Sequence, residues 1–293
     1  MKEWWIHVGL ICVPLVAVYL HIPAPHLSAT LQKSGIRSRS ASIESLHWTF
    51  LDLVLRPHRY SIFEQASIVE ALVAHLGLSN QRLNLISHDY GDTVALELLY
   101  RSDQNRTGHL NYNSLCLTNG GIFPETHHPR LLQTLLKDSS ILATFLTRLT
   151  NFLIFQKGIG EVFGPYTQPT DAEFWDMWTS LRYNDGNLVL DSTSIRDFNI
   201  EIDGWERSHP HMLHQGILRL SFISTIFSHC CVSVHMIYGP LDPVNPHPQF
   251  IRLYMHLVKR STVTILDDHI SHYPQLEDPT GFLKAYFNFI HSF

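Results

Sequence analysis

The pentad Ser87-His88-Asp89-Tyr90-Gly91 lies between a short apolar run, Leu83–Ile86, and a helical pattern over residues 92–101. A strand that turns sharply into a helix presents its turn residue as a nucleophile, and the turn needs small residues two positions to either side. Ser87 and Gly91 meet that need. The segment therefore predicts a nucleophile elbow, in which an aspartate stands where a serine is common.

The role of Asp89 follows from its chemistry. An aspartate is ionised at neutral pH and attacks without a base, but it is a weak nucleophile suited to an activated carbon. The backbone N–H of Tyr90 would face the reacting atom as an oxyanion donor. The competing interpretation is that Asp89 merely caps the helix that follows.

The elbow stands in an alternation of helices and strands. Ser61 and Glu64 form a capping box, apolar residues then recur at helical spacing, and Gly77 ends the helix. The elbow strand and helix follow, and Leu115–Leu117 reads as a further strand. This order indicates an α/β fold with a parallel sheet and helical crossovers.

The pattern returns near the C-terminus after a long interruption. Strands are predicted at Val232–Tyr238 and Thr262–Leu266, with helices at Pro248–Leu257 and Pro279–Phe293. The interruption, residues 120–205, is helical in parts and rich in aromatic residues. We interpret it as an inserted helical cap.

An acid and a histidine follow the last two strands. Asp242 comes just after Tyr238, and His272 comes shortly after Leu266. Nucleophile, acid and histidine then occur in the order typical of α/β-hydrolases, each beyond the carboxyl end of a strand. His269 is the alternative base, but the residues after His272 match the tail H-x-x-x-x-E-x-P that begins the last helix of those proteins.

These motifs resemble those of epoxide hydrolases and haloalkane dehalogenases, which place aspartate at the elbow in an H-D-[WY]-G context. More closely, the apolar N-terminus, residues 56–191 and residues 232–293 resemble an endoplasmic-reticulum family of vertebrate α/β-hydrolase-like proteins. The resemblance implies an ester on Asp89 that His272, oriented by Asp242, hydrolyses through water. It also implies that cap tyrosines, here Tyr166 and Tyr183, donate to the opening ring oxygen, although packing alone would explain either one.

The N-terminus suggests a membrane tether. Residues 4–20 are almost entirely apolar, and the aromatic residues at both ends suit a membrane interface. We favour a retained anchor over a cleaved signal peptide, because no good cleavage site follows. The resemblance implies the endoplasmic reticulum membrane, and the apolar cap suggests a small apolar or lipid-like substrate.

Two regions depart from the resemblance. Residues 28–56 are too few and too irregular to supply the first strands of a hydrolase sheet, since one βαβ unit takes about 30 residues or more. The chain also has no H-G dipeptide, which normally marks the loop that donates the second oxyanion N–H. The predicted organisation begins with an anchor at residues 1–27 and a linker at residues 28–56. A first part of the core at residues 57–119 is followed by a cap at residues 120–205. An atypical loop at residues 206–231 then leads to a second part of the core at residues 232–293.

Composition limits the other possibilities. A chain with 45% hydrophobic and 16% charged residues buries a core, and a formal net charge of -5 disfavours nucleic acid as a partner. The histidine run at residues 209–214 repeats no carboxylate or thiolate at ligand spacing, so neither a metal nor another cofactor is expected. The alternative to an enzyme is a catalytically inactive hydrolase-like membrane protein that binds partners.

Overall fold

A computed structural model describes residues 61–103, 110–123, 125–128, 130, 147–182 and 232–293. The predicted anchor, linker and atypical loop, the histidine run at residues 209–214, and Tyr183 lie outside these residues. The described helices are α1 (Ile62–His75), α2 (Tyr90–Asp103), α3 (Phe152–Gly160), α4 (Asp171–Arg182), α5 (Gln249–Leu257), α6 (Pro274–Glu277) and α7 (Pro279–Ile290). The described strands are β1 (Arg82–Ile86), β2 (Asn111–Thr118), β3 (Ser233–Tyr238) and β4 (Ser261–Ile265).

The four strands form one parallel sheet in the order β1-β2-β3-β4. The register brings Ile86 of β1 beside Cys116 of β2, and Thr118 of β2 beside Ile237 of β3. Because all four strands run in the same direction, their carboxyl ends meet at one edge of the sheet. The parallel sheet with helical connections that the sequence predicts is therefore confirmed.

The main hydrophobic core lies over β2 and β3. Leu115, Leu117, Met236 and Tyr238 are fully buried and pack with apolar residues of α1, α2 and α5. A smaller cluster lies between the sheet and α7, around residues such as Ile237. The two central strands thus carry the packing that fixes the position of the site.

The first helix begins and ends as its sequence predicts. The Ser61 hydroxyl accepts a hydrogen bond from the Glu64 N–H at 3.2 Å, so Ser61 caps α1. Gly77 follows the helix with φ of 69°, a backbone conformation that glycine adopts without steric cost. Other predicted bounds differ from the observed ones by one to a few residues, and the last helix ends at Ile290 rather than at Phe293.

Within the part of the chain that the structure describes, we find no helix with both the length and the apolar character needed to cross a membrane.

Candidate active site

Asp89 occupies a sharp turn between β1 and α2. Its φ is 50°, a conformation that is uncommon for a residue with a side chain and that clusters at functional sites. Four backbone hydrogen bonds hold the turn, one of them from the Gly91 N–H to the His88 carbonyl at 2.8 Å. The Ser87 and Asp89 N–H groups donate to Cys116 and Thr118 of β2, at 2.9 and 3.1 Å, and the Asp92 N–H donates to Asp89 at 3.0 Å. The side chain of Asp89 is 38% exposed, so a substrate can reach it.

A second carboxylate, Asp92, lies buried beneath the turn. It accepts hydrogen bonds from the Ser87 hydroxyl at 2.5 Å, and from the backbone N–H groups of Thr118 and Gly120 at 3.1 and 3.0 Å. Burial raises the pKa of Asp92 well above its usual range, against the effect of these bonds. Asp92 therefore ties the turn to the end of β2. The sequence indicates only that it lies in the first turn of a helix.

Asp242 follows β3 and is completely enclosed. Its carboxylate accepts hydrogen bonds from four groups: the backbone N–H of Val244 at 2.8 Å, the side-chain amides of Asn119 and Asn245 at 3.0 and 3.3 Å, and the His272 Nδ1–H at 3.0 Å. Burial alone would raise the pKa of Asp242, but the hydrogen bond and charge of His272, followed by the Asn119 and Val244 bonds, lower it. Asp242 is therefore held as an anion.

His272 lies between the two aspartates. Its Nδ1 faces Asp242, and its Nε2 is 3.6 Å from Oδ1 of Asp89. Burial would lower the pKa of His272, but the hydrogen bond and charge of Asp242, with the charges of Asp89 and Glu277, raise it to about 9. The resting state is therefore an imidazolium between two carboxylates. His269, the alternative base, lies on the exposed surface of the preceding turn.

Asn119 contributes to the site without a sequence signal. Its side-chain amide accepts from the Gly239 N–H at 2.9 Å and donates to the Gly239 carbonyl at 3.1 Å, so it joins the ends of β2 and β3. It also donates to Asp242. Asn119 has φ of 49°, and asparagine tolerates this region better than most residues do.

His88 belongs to the elbow pentad, but the sequence analysis gives its side chain no role in the site. Its Nδ1 is 3.0 Å from the Thr118 carbonyl and 3.1 Å from the Thr118 hydroxyl, whose own hydrogen is donated to Ser87. Nδ1 therefore faces two acceptors and carries the proton. Burial, with the charge of His272, lowers the pKa of His88 to about 4, so the ring is neutral beside the His272 ring at 5.1 Å between centroids.

Tyr273 completes the aromatic surroundings of the histidine. Its ring is 5.0 Å from the His272 ring in an edge-on arrangement, and it stacks on Phe163 at 4.8 Å. Burial, with the charges of Asp89 and Asp242, raises the pKa of Tyr273 to about 12. The phenol is therefore a neutral hydrogen-bond donor beside the carboxylates.

The other tyrosines predicted for the site are placed differently. Tyr90 begins α2, where its backbone N–H belongs to the first turn of a helix, as the elbow predicts. Tyr166 follows α3, and its side chain is 86% exposed. No hydrogen bond joins Tyr166 to Asp89 among the described residues. The structure thus brings together Asp89, Asp242 and His272, with Tyr90 next to the nucleophile position, and leaves Tyr166 at the surface.

The parallel sheet, with a sharp turn after β1 and loops after β3 and β4 that bring Asp242 and His272 toward Asp89, has the architecture of the α/β-hydrolase fold. Bromoperoxidase from Bacillus anthracis shares the fold, with a TM-score of 0.54 and 11% identity over 81% of this chain and 77% of that chain. The hydrolase BphD from Rhodococcus sp. strain RHA1, which acts on 2-hydroxy-6-oxo-6-phenylhexa-2,4-dienoate, gives a TM-score of 0.53 and 12% identity over 80% and 73% of the two chains. At such identities these likenesses show the fold alone.

Sequence comparison is more specific. The mesoderm-specific transcript homolog protein of Homo sapiens is 48% identical over an alignment that covers 100% of this chain and 97% of that protein. The chain therefore belongs to the mesoderm-specific transcript family. No family model matches the chain.

The alignment also bears on the strands that the sequence lacks. It extends over 343 positions, whereas the chain has 293 residues, so at least 50 positions of the human relative have no counterpart here. Among the described residues, β1 is an edge strand of the sheet. That this chain lacks strands next to the elbow strand stays a prediction.

Proposed function

We propose that this α/β-hydrolase-like protein opens epoxides, or similarly activated carbons, in apolar lipid-like molecules through a covalent ester on Asp89. The observation that carries the proposal is the alignment of Asp89, His272 and Asp242, with Nε2 3.6 Å from one carboxylate and Nδ1 3.0 Å from the other. An aspartate in this position is suited to attack at carbon because it is ionised without the help of a base.

In the first step, a carboxylate oxygen of Asp89 attacks a carbon of the epoxide. The carbon–oxygen bond of the ring on the opposite side breaks, and the ring oxygen leaves with the bonding electrons and takes up a proton. The donor of that proton lies across the substrate from Asp89, which is the role that the resemblance gives to Tyr166 and Tyr183. The exposed side chain of Tyr166 would have to move inward to serve.

In the second step, water attacks the carbonyl carbon of the ester. His272 first gives up its Nε2 proton to solvent, and the neutral Nε2 then takes a proton from the attacking water. The ester bond breaks, the leaving oxygen takes that proton back from His272, and the diol and the Asp89 carboxylate are released. Formation of the ester removes the charge of Asp89, which is one of the charges that raise the pKa of His272. Step one therefore makes His272 a readier base for step two.

The surroundings of the site favour an apolar substrate. Val162, Phe163 and Val244 form a small buried cluster, and Tyr273 packs against it close to His272. An anchor at residues 4–20 would hold the protein at the endoplasmic reticulum membrane, where lipid-like molecules are concentrated.

Catalytically inactive partner binding is the second candidate, and the 50 unmatched positions of the alignment favour it.

Isotope labelling tests the proposal. The chain is turned over with a long-chain aliphatic epoxide in water enriched in oxygen-18, and the peptide that contains Asp89 is then analysed by mass spectrometry. Because water attacks the carbonyl carbon of the ester, the heavy oxygen enters the Asp89 carboxylate. The Asp89→Asn variant is the control. Diol formation without label at Asp89 would exclude the ester, and no diol at all would favour the inactive partner-binding protein.

A further inference from the structure

Glu277, the last residue of α6, joins two segments that are distant in the sequence. We call residues 161–170 the α3–α4 loop and residues 266–273 the histidine loop. Oε2 of Glu277 accepts hydrogen bonds from the Gly164 N–H at 2.9 Å and the Thr167 hydroxyl at 2.6 Å, both in the α3–α4 loop. The same carboxylate accepts from the Ser271 N–H at 3.0 Å through Oε2 and from the Tyr273 N–H at 3.0 Å through Oε1. These two donors flank His272.

The two loops are in direct contact around this carboxylate. The His272 N–H donates to the Val162 carbonyl at 3.1 Å, and Phe163 stacks on Tyr273. A Cβ at Gly164 would lie 2.1 Å from the His269 carbonyl, so only glycine allows the approach. The backbone of His272 is thus held from the side of the α3–α4 loop as well as from its own loop.

Glu277 also acts on His272 through its charge. Asp242 and Asp89 face the imidazole directly, Glu277 adds a third negative charge, and the neighbouring His88 ring is neutral. The residue after Glu277, Asp278, caps α7 by accepting from the Gly281 N–H at 2.9 Å.

We propose that Glu277 is a positioning residue that fixes the histidine loop to the α3–α4 loop and holds a carboxylate against the backbone on both sides of His272. The functional meaning of this role rests on the proposed function, in which His272 is the base. The role itself requires no substrate. It makes the position of the α3–α4 loop and the proton affinity of the histidine depend on the same carboxylate.

The test uses Glu277→Gln in the full chain in detergent, with carbon-13 in the histidine rings. The His272 signal is identified by its loss in His272→Gln. The substitution removes the charge and turns an amide donor toward N–H groups. We expect the pKa of His272 to fall by up to about one unit. Amide exchange at Gly164 and Ser271 should accelerate by about tenfold or more, because hydrogen bonds to a charged acceptor are lost.

Two further variants separate the causes. Asp268→Asn removes an exposed carboxylate of the same histidine loop and should leave both measurements unchanged. Glu277→Asp keeps the charge but shortens the arm, so the Gly164 amide should exchange faster while the pKa of His272 stays within a few tenths of a unit of the wild-type value. An unchanged pKa or unchanged exchange in Glu277→Gln overturns the proposal, as does unchanged exchange in Glu277→Asp. Neither measurement needs an ester on Asp89, so a failure of the proposed function would not be mistaken for a failure of this inference.

Discussion

The acid–base half of the site and the nucleophile half are built differently. The side chains of Asp242 and His272 are 0% and 5% exposed, and both carboxylate oxygens of Asp242 accept hydrogen bonds. Asp89 stands on the edge strand β1, with its carboxylate 38% exposed. The machinery that would activate water is therefore fixed within the core, whereas the nucleophile is held mainly by its turn. The positions of the acid and the histidine therefore depend on packing, and the position of Asp89 depends on local backbone geometry.

The strands beneath the two halves show the same contrast. Met236, Ile237 and Tyr238 of β3 are fully buried, while along β1 exposure alternates and reaches 43% at Ile86. In this chain the strand that precedes the acid, β3, is more deeply buried than the strand that precedes Asp89, β1.

Of all the substitutions, Asp242→Asn should impair the acid–base half of the site most severely. An amide cannot accept from the same set of donors, so His272 loses both its orienting bond and the charge that raises its pKa. We expect hydrolysis of the Asp89 ester to slow by about 10³- to 10⁴-fold, measured by single-turnover mass spectrometry. The pKa of His272 should also fall from about 9. Asp267→Asn, at an exposed position, is the control, and a loss of less than about tenfold in Asp242→Asn would show that the acid is dispensable.

Two alanine substitutions sharpen the contrast between the strands. Leu117, on β2 next to β3, is fully buried, so Leu117→Ala should cost about 2–5 kcal/mol of the free energy of unfolding. Ile86→Ala on β1 should cost about 1 kcal/mol or less, because much of that side chain is already in water. Chemical denaturation of both variants measures the difference. Equal costs would mean that β1 is packed as tightly as the centre of the sheet.

The stability that His272 contributes should depend on pH. Its pKa is about 9 in the folded chain and about 6.5 when unfolded, so its protonated form favours folding. The contribution, on the order of 3 kcal/mol, is fully present below pH 6.5 and is lost as the pH rises through about 9. The stability difference between wild type and His272→Gln should shrink over that window in denaturation experiments. His269→Gln, at the exposed neighbour, should show no such trend, and a difference independent of pH would contradict the raised pKa.

The contact between the α3–α4 loop and the histidine loop gives the smallest predicted effect. Gly164→Ala places a methyl group against the His269 carbonyl, and we expect a loss of about 1–3 kcal/mol. Gly158→Ala is the matched control, because Gly158 lies inside α3 with open space around its Cα and alanine favours helix there by up to about 1 kcal/mol. The midpoint of thermal unfolding should therefore fall in Gly164→Ala and rise in Gly158→Ala. A neutral Gly164→Ala would show that the two loops separate easily.

The sequence predicted those parts of the site that depend on local spacing or on order along the chain. The small residues around Asp89 predict the elbow. The order of Asp242 and His272 after successive strands predicts the acid and the base. Asn119 was not predicted as part of the site, and His88 and Glu277 appeared only as letters of the motifs, without a role. Their contacts join residues far apart in the chain, and the motifs do not encode that pairing. The sequence also could not indicate that Tyr166 lies at the surface, because exposure depends on how its loop packs.

The most direct test of the central claim is mass spectrometry of the His272→Gln variant after incubation with a lipid epoxide. Loss of the base leaves the first step intact and blocks the second, so we expect an ester that accumulates on Asp89 and is absent from Asp89→Asn. If no adduct forms while a full-length relative with the same histidine substitution is modified under the same conditions, Asp89 is not a working nucleophile in this chain, and the proposed mechanism is wrong.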